Sequence, residues 1–255
     1  MGALKLPLEQ AVTKRLREEK LLSAPPALSL REGLGQAGFA ASLGGLRSLV
    51  ASITVLQTVD AFENVDWGKV DGLYRIATQL QPRYAPYWVQ AAEHMAFDAA
   101  SSYRFDQNRR YALSEELFEN HVRRGIEIMR EGLRFNPDSA RLWTRLGDIY
   151  SQRSGRSVIP GDRHAPLTGD PANAAECYLK GSELGALPIY ERLGAYELVK
   201  AGDSGSLERA RVILMRHYQR GHKPFRVIKD LKIIEEKLQV PPAQRIQDQL
   251  PKPGR

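Results

Sequence analysis

Trp143-Thr144-Arg145-Leu146-Gly147-Asp148-Ile149-Tyr150 is the stretch on which the fold turns. Its tryptophan, leucine, glycine and tyrosine fall at i, i+3, i+4 and i+7. Residues at those intervals share one face of an α-helix, because each residue advances about 100° around the axis. Aromatics at both ends of the face, with a glycine between them, make a surface with a notch. A second helix can approach closely over the glycine while the rings fill the space beside it. The stretch therefore reads as a helix that buries this face against another helix.

The pattern of a partner helix follows downstream. Ala174, Tyr178 and Gly181 stand at i, i+4 and i+7, a small–aromatic–small face. The same arrangement occurs upstream, where Val70, Tyr74 and Ala77 precede Pro82. Trp88 follows Pro82 by six residues, and Trp143 follows Pro137 by six. Ala91, Ala92 and Met95 then take the places of Leu146, Gly147 and Tyr150. Tyr190, Leu193 and Gly194 read as another first helix, and Ala210, Leu214 and His217 as its second.

Together these residues resemble the tetratricopeptide (TPR) family, whose first helix carries the Trp-x-x-Leu-Gly-x-x-Tyr pattern. The resemblance covers residues 65–218. It implies an all-α fold, a stack of antiparallel helical hairpins forming an α-solenoid, here preceded by extra N-terminal helices. Such stacks bury a continuous core between neighbours and line a concave face with first helices. Two departures stand out. Pro82 and Pro137 are 55 residues apart, against a regular period of about 34. Ala186 also stands where a closing proline is expected, with Pro188 after it. The excess length is assigned to the connections at 101–112 and 152–171. A looser likeness, on Leu43-Gly44-Gly45-Leu46-Arg47, Leu80-Gln81-Pro82-Arg83 and His94-Met95-Ala96, is to an uncharacterised group of bacterial TPR-like proteins. Some of its members carry an N-terminal membrane anchor. That likeness implies a fold and no activity.

Outside the repeats, residues 1–22 read as an amphipathic helix, with Leu4, Leu8, Val12, Leu16 and Leu21-Leu22 near helical spacing and charges between them. Ser23-Ala24-Pro25-Pro26 breaks it. Ser29 and Glu32 form a capping-box pattern for a further helix. Gly38 to Val59 is apolar but contains Arg47, which at a bilayer centre costs about 2.5 kcal/mol or more. A buried helix is expected there, not a membrane span. Helical patterns punctuated by Gly, Pro and Asp continue to about residue 236, with no run of alternating β-branched residues. The organisation expected is an N-terminal helical region at 1–62, TPR-like repeats at 63–238 and a Pro-rich tail at 239–255. The tail either wraps the surface or has no fixed structure.

Hydrophobic content of 42% and charged content of 26% are ordinary for a globular protein. They exclude collagen-like and wholly disordered classes. Lys and Arg number 37 against 30 Asp and Glu, a net charge of +7. Because the basic residues are scattered among acids, a soluble basic surface is the leading reading. A nucleic-acid-binding helical repeat protein is the alternative. Its best support is the Arg-aromatic segment with Tyr103, Arg104, Phe105, Arg109, Arg110 and Tyr111. The simpler account of that segment is an inserted helix with its aromatics packed inward.

The single cysteine, Cys177, excludes a disulfide framework and a cysteine-rich zinc site. It reads as a small, partly buried thiol. No phosphate loop and no His-Glu-x-x-His motif occurs, and the five histidines are dispersed. His94 is expected to be structural. Glu115, Glu116 and Glu119 near His121 read as a solvated helix face. No catalytic residue, cofactor or metal ligand is predicted. The TPR resemblance implies a non-catalytic interaction scaffold or adaptor that grips a helix or extended peptide in a groove. By register, Gln90 and Glu93, Arg145 and Asp148, and Arg192 and Glu197 should face solvent on successive first helices and line that groove. Residues 1–22 have no apolar signal-peptide core, so a cytoplasmic location is expected. Docking of the amphipathic start on a membrane surface or another subunit is the alternative.

Overall fold

A computed structural model describes residues 45–221 and 224–246. The helix expected at 1–22, the capping box at Ser29 and the tail beyond Ile246 lie outside the described residues. Within them the fold is all-α, and the one β feature is an isolated antiparallel bridge between Ser157 and Leu167. The helices are α1 (Arg47–Glu63), α2 (Trp67–Leu80), α3 (Ala85–Glu93), α4 (Ala100–Arg104), α5 (Tyr111–Phe135), α6 (Ala140–Gln152), α7 (Pro171–Glu183), α8 (Ile189–Ala201), α9 (Ser204–Gln219) and α10 (Phe225–Lys237). A π-helical segment, His94–Ala99, joins α3 to α4 without a break. The chain forms two compact units. One holds the described residues up to Leu142 together with Ile159–Pro166, and the other holds Trp143–Val158 and Leu167 onward.

In the first unit, α1 packs on α2 across the turn Asn64–Asp66. Asp66 caps α2 by accepting the Lys69 N–H at 3.0 Å, which satisfies one of the free donors at a helix start. The α1 face turned to α2 is built of small residues, Ala51, Thr54, Thr58 and Ala61. A buried helix was expected over this apolar run, and in the described part only one face of it is buried. Leu46, Leu49, Ile53, Leu56 and Val59 are exposed, because the contact is made by Ala51, Thr54, Thr58 and Ala61 with half-buried Val50 and Val55 beside them. No helix among the described residues is long and apolar enough to cross a membrane.

α3, the π segment and α4 pack on α5. Two α5 glycines make this approach possible. A Cβ on Gly125 would lie 2.9 Å from the Ala92 carbonyl oxygen, and one on Gly132 would lie 2.8 Å from the Trp88 ring. Gly125, Met129 and Gly132 are buried at the i, i+4, i+7 spacing of the second-helix pattern. The Trp88 indole N–H donates to the Pro82 carbonyl at 2.8 Å, and Asn136 Nδ2 donates to the same oxygen at 2.9 Å. That shared acceptor gives the six-residue Pro-to-Trp spacing a physical meaning: it ties the α2–α3 turn to the end of α5. The long Pro82–Pro137 interval is corrected in its cause. It comes mainly from longer helices, α5 having 25 residues where α7 has 13, and from the π segment.

In the second unit α8 packs against α7 on one side and α9 and α10 on the other. Its core contains Ala175, Ala195, Leu198, Leu207, Leu214, Leu231 and Ile234. α8 ends at Gly202, whose φ of 77° suits the left-handed position that closes helices. The described part of the tail, up to Ile246, lies against α10. Pro242–Gln244 forms one 3-10 turn, and the Ile246 N–H donates to the buried Glu235 carboxylate at 3.1 Å.

Candidate functional site

A cavity of about 710 Å³ opens between α7 and α9, at the N-terminal end of α8. Its apolar floor is made by half-buried Leu179 of α7 and Ile213 of α9, and Val212 is 61% exposed beside them. Leu179 reaches this place because Gly194 of α8 has no side chain. A Cβ there would come within 2.8 Å of Leu179. Charged pairs form the rim. Arg209 donates to Glu176 at 2.5 Å, and Arg216 donates to Glu191 at 2.8 Å. The other Glu191 oxygen meets Nε2 of the buried His217 at 2.8 Å. Glu191 therefore anchors α9 to the start of α8. The result is a groove with an apolar strip and alternating charge along its edges.

A second arrangement joins α6, α7 and α8. The Tyr178 hydroxyl donates to Asp148 at 2.8 Å, and Arg145 donates to the other Asp148 oxygen at 3.0 Å. The Ser151 hydroxyl donates to Glu197 at 2.8 Å, and Lys200 donates to the same carboxylate at 2.6 Å. Burial pushes the Tyr178 phenol well above its ordinary value. The Asp148 charge and the hydrogen bond to it act the same way, as does the Glu197 charge, and a hydrogen bond to Ser151 opposes them. Tyr178 thus stays protonated and donating. The cluster ties α6, α7 and α8 together through these hydrogen bonds.

The six residues expected to line a groove separate into different roles. Gln90 and Arg145 are exposed, while Glu93, Asp148 and Arg192 are half-buried. Glu197 is corrected: it is 5% exposed instead of solvent-facing. α8 is flanked by α7, α9 and α10, so it has no broad solvent face. Asp148 and Glu197 do come together, through Tyr178 and Ser151. Gln90 and Glu93 belong to the other compact unit. Sequence reasoning missed the α7–α9 groove. A signal was present in Val212-Ile213-Leu214, because three consecutive apolar residues cannot share one helix face. With Leu214 fully buried, Val212 is turned outward.

The Arg-aromatic segment is also corrected. It is the end of α4 followed by a loop, not an inserted helix, and Arg104 and Arg109 are engaged within the unit. Arg104, 3% exposed, donates to the Ala165 carbonyl at 2.8 Å. Arg163 donates in return to the carbonyls of Asp106 and, at 2.6 Å, Arg109. Arg109 pairs with Asp106 at 2.7 Å and lies over the Tyr103 ring. Backbone and Arg109 hydrogen bonds hold the Asp106 carboxyl below its usual range. His94 meets Asp98 at 2.8 Å and packs against Phe62 and Tyr74. Cys177 is buried. Among the described residues no three His, Cys, Asp or Glu side chains are placed to hold a metal ion. Against known proteins, neither a protein-family model nor a curated protein matches this chain.

Proposed function

We propose that this protein is a non-catalytic interaction scaffold, that its helix pairs are irregular TPR-like repeats, and that it holds a partner protein in the groove between α7 and α9. The carrying observation is Val212, a large apolar side chain left open to solvent beside a floor of Leu179 and Ile213. Exposed apolar surface rimmed by polar residues is the usual mark of an interaction site. A groove between two helices suits the apolar face of a third, anchored at helical intervals. The charged rim selects its flanking charges and orientation.

Support for the repeat reading comes from the helix contacts. Four faces carry residues at i, i+4 and i+7: Val70/Tyr74/Ala77, Gly125/Met129/Gly132, Ala174/Tyr178/Gly181 and Ala210/Leu214/His217. All are buried. The internal engagement of Arg104, Arg109 and Arg163 counts against the nucleic-acid reading.

The test is affinity capture from the native organism with wild-type protein and Val212→Glu, at low and high salt. A discrete set of proteins that survives high salt and is lost with Val212→Glu supports the reading, provided both proteins melt alike. Capture mainly of nucleic acid that is lost at high salt overturns it. A protein set kept by Val212→Glu but lost when Arg145 and Asp148 are both replaced by alanine moves the partner to the first-helix face.

A further inference from the structure

The outer face of α1 carries a row of large apolar residues that the described residues leave open. Leu46, Leu49, Ile53 and Leu56 follow one another at intervals of three, four and three, and Asp60 comes four later. This is the a/d spacing of a short coiled-coil seam, the narrow stripe by which one helix pairs with another. Val59 flanks it. Exposure runs from 47% at Ile53 to 70% at Leu56. Single exposed leucines need no explanation, but a row at this spacing marks a contact surface. At roughly 100 Å² per half-exposed large side chain, the row offers about 500 Å² per copy, and two copies reach the ~1,000 Å² that a specific interface needs.

We infer that α1 pairs antiparallel with α1 of a second copy of this chain, about a twofold axis at Ile53. The spacing is self-complementary about that axis: Ile53 meets its own counterpart, Leu49 meets Leu56, and Leu46 meets Asp60. Charge sets the direction. At the start of α1, Leu46 makes no side-chain cap and the first turn holds no acid. Half-buried Arg47 stands there, and exposed Arg83 joins it from the α2–α3 turn, since Ala51 packs among Ile76, Ala77 and Leu80 at the end of α2. The far end holds Asp60 and Glu63, with Asp66 and Lys69 at the start of α2. Lys69 meets Asp60 at 3.3 Å, and Asp98 nearby is taken by His94. Three carboxylates against one ammonium still leave that end negative. Acids are unfavourable at the C-terminal end of their own helix and favourable beside an N-terminus. Antiparallel pairing sets each acidic end beside the uncapped, basic start of the other copy. Parallel pairing would set Asp60 against Asp60.

The experiment is sedimentation equilibrium of the full chain alone, from about 1 to about 100 µM, a range suited to an interface of this size. No groove partner is present, so the outcome stands apart from that of the α7–α9 groove. Expected is a monomer–dimer equilibrium. Ile53→Glu sets two carboxylates against each other on the axis and should weaken the dimer at least tenfold with unchanged circular dichroism. Phe225→Glu, at a 67% exposed residue of α10, should leave it intact. Direction is read by mild oxidation of cysteine variants. Leu46→Cys mixed with Asp60→Cys should give a disulfide-linked dimer, and Leu46→Cys alone should not. That pair of cysteine variants also decides the matter should Ile53→Glu fail to fold. A monomer throughout the range overturns the proposal. So does a dimer that folded Ile53→Glu leaves intact, or one linked through position 46 of both copies.

Discussion

The Tyr178 ring lies so close to the Cα of Gly147 that a single methyl group has no room between them. A Cβ on Gly147 would sit 2.7 Å from Cδ1 and 2.8 Å from Cε1 of the tyrosine. Gly147→Ala gains up to about 1 kcal/mol in helix propensity but overpacks a fixed ring, at a typical cost of ~1–3 kcal/mol. The net expected is a loss of about 1 kcal/mol, read as a lower urea midpoint with unchanged slope. Gly72 of α2 is the control, since a Cβ there meets nothing within 4 Å. Gly72→Ala should leave stability unchanged or raise it by up to ~1 kcal/mol. Equal effects at the two sites would mean that the close approach is not a constraint.

Tyr178 gives the same contact a pH dependence. Its folded pKa lies above the ordinary value of about 10. For such a group the stabilisation is complete below the unfolded value and is lost as pH rises toward the folded one. Burial also raises Tyr74 and Tyr196. The protein should therefore lose stability progressively above about pH 10, with part of its tyrosine absorbance at 295 nm appearing late in an alkaline titration. In Tyr178→Phe one late phenol should disappear and the alkaline slope should flatten. At pH 8 the variant should be about 1 kcal/mol less stable, because Asp148 loses a donor.

Arg104 and Glu115 make a third case, in which burial decides the cost. The Arg104 side chain is 4% exposed and that of Glu115 18%, with 3.7 Å between Nε and Oε1. Those two buried atoms have no hydrogen bond of their own. Removing one charge strands the other, and breaking buried pairs costs roughly 3 kcal/mol or more. Arg104→Ala should approach that figure, with the lost Ala165 hydrogen bond included. The double replacement Arg104→Met/Glu115→Leu should recover much of the loss, because it strands no charge. If thermal melts put the double variant below Arg104→Ala, the pair is more favourable than its geometry indicates.

How much of this was legible in the sequence depended on whether one helix face decided the matter. Trp143 to Tyr150 was readable because its notch is local: Gly147 and the aromatics lie within two turns of one helix. Gly125, Met129 and Gly132 follow the same spacing, yet they were missed, because glycines announce nothing until Trp88 and Ala92 are seen against them. Glu197 was misplaced for a related reason. A register rule predicts one buried face, and α8 is covered by three helices. Hydropathy failed differently at α1, where it counts Leu49, Ile53 and Leu56 but cannot say that Ala51 and Thr54 make the contact. For the α7–α9 groove, Val212-Ile213-Leu214 signals one outward apolar residue, but its floor was out of reach because Leu179 and Ile213 are far apart in the chain and meet only through packing.

The reciprocal clamp between the α4–α5 loop and the segment around Arg163 supports the last prediction. Arg104 donates to Ala165, and Arg163 donates to carbonyls of Asp106 and Arg109 while lying over the Tyr111 ring. Loop backbone at a surface is held by few bonds, so each local donor counts strongly for local opening and weakly for global stability. Arg163→Ala removes the donors to two loop carbonyls, but those oxygens are near solvent and water can replace them. Global stability should therefore change by under ~1 kcal/mol, the usual range for bonds near the surface. Opening of the loop should rise several-fold. Chymotrypsin reads this directly at Phe105, which is 43% exposed and stacked on His164. Under native conditions Arg163→Ala should be cut there several times faster than wild type, with its melting temperature little changed. Cleavage at the wild-type rate would mean that Arg104 alone holds the loop.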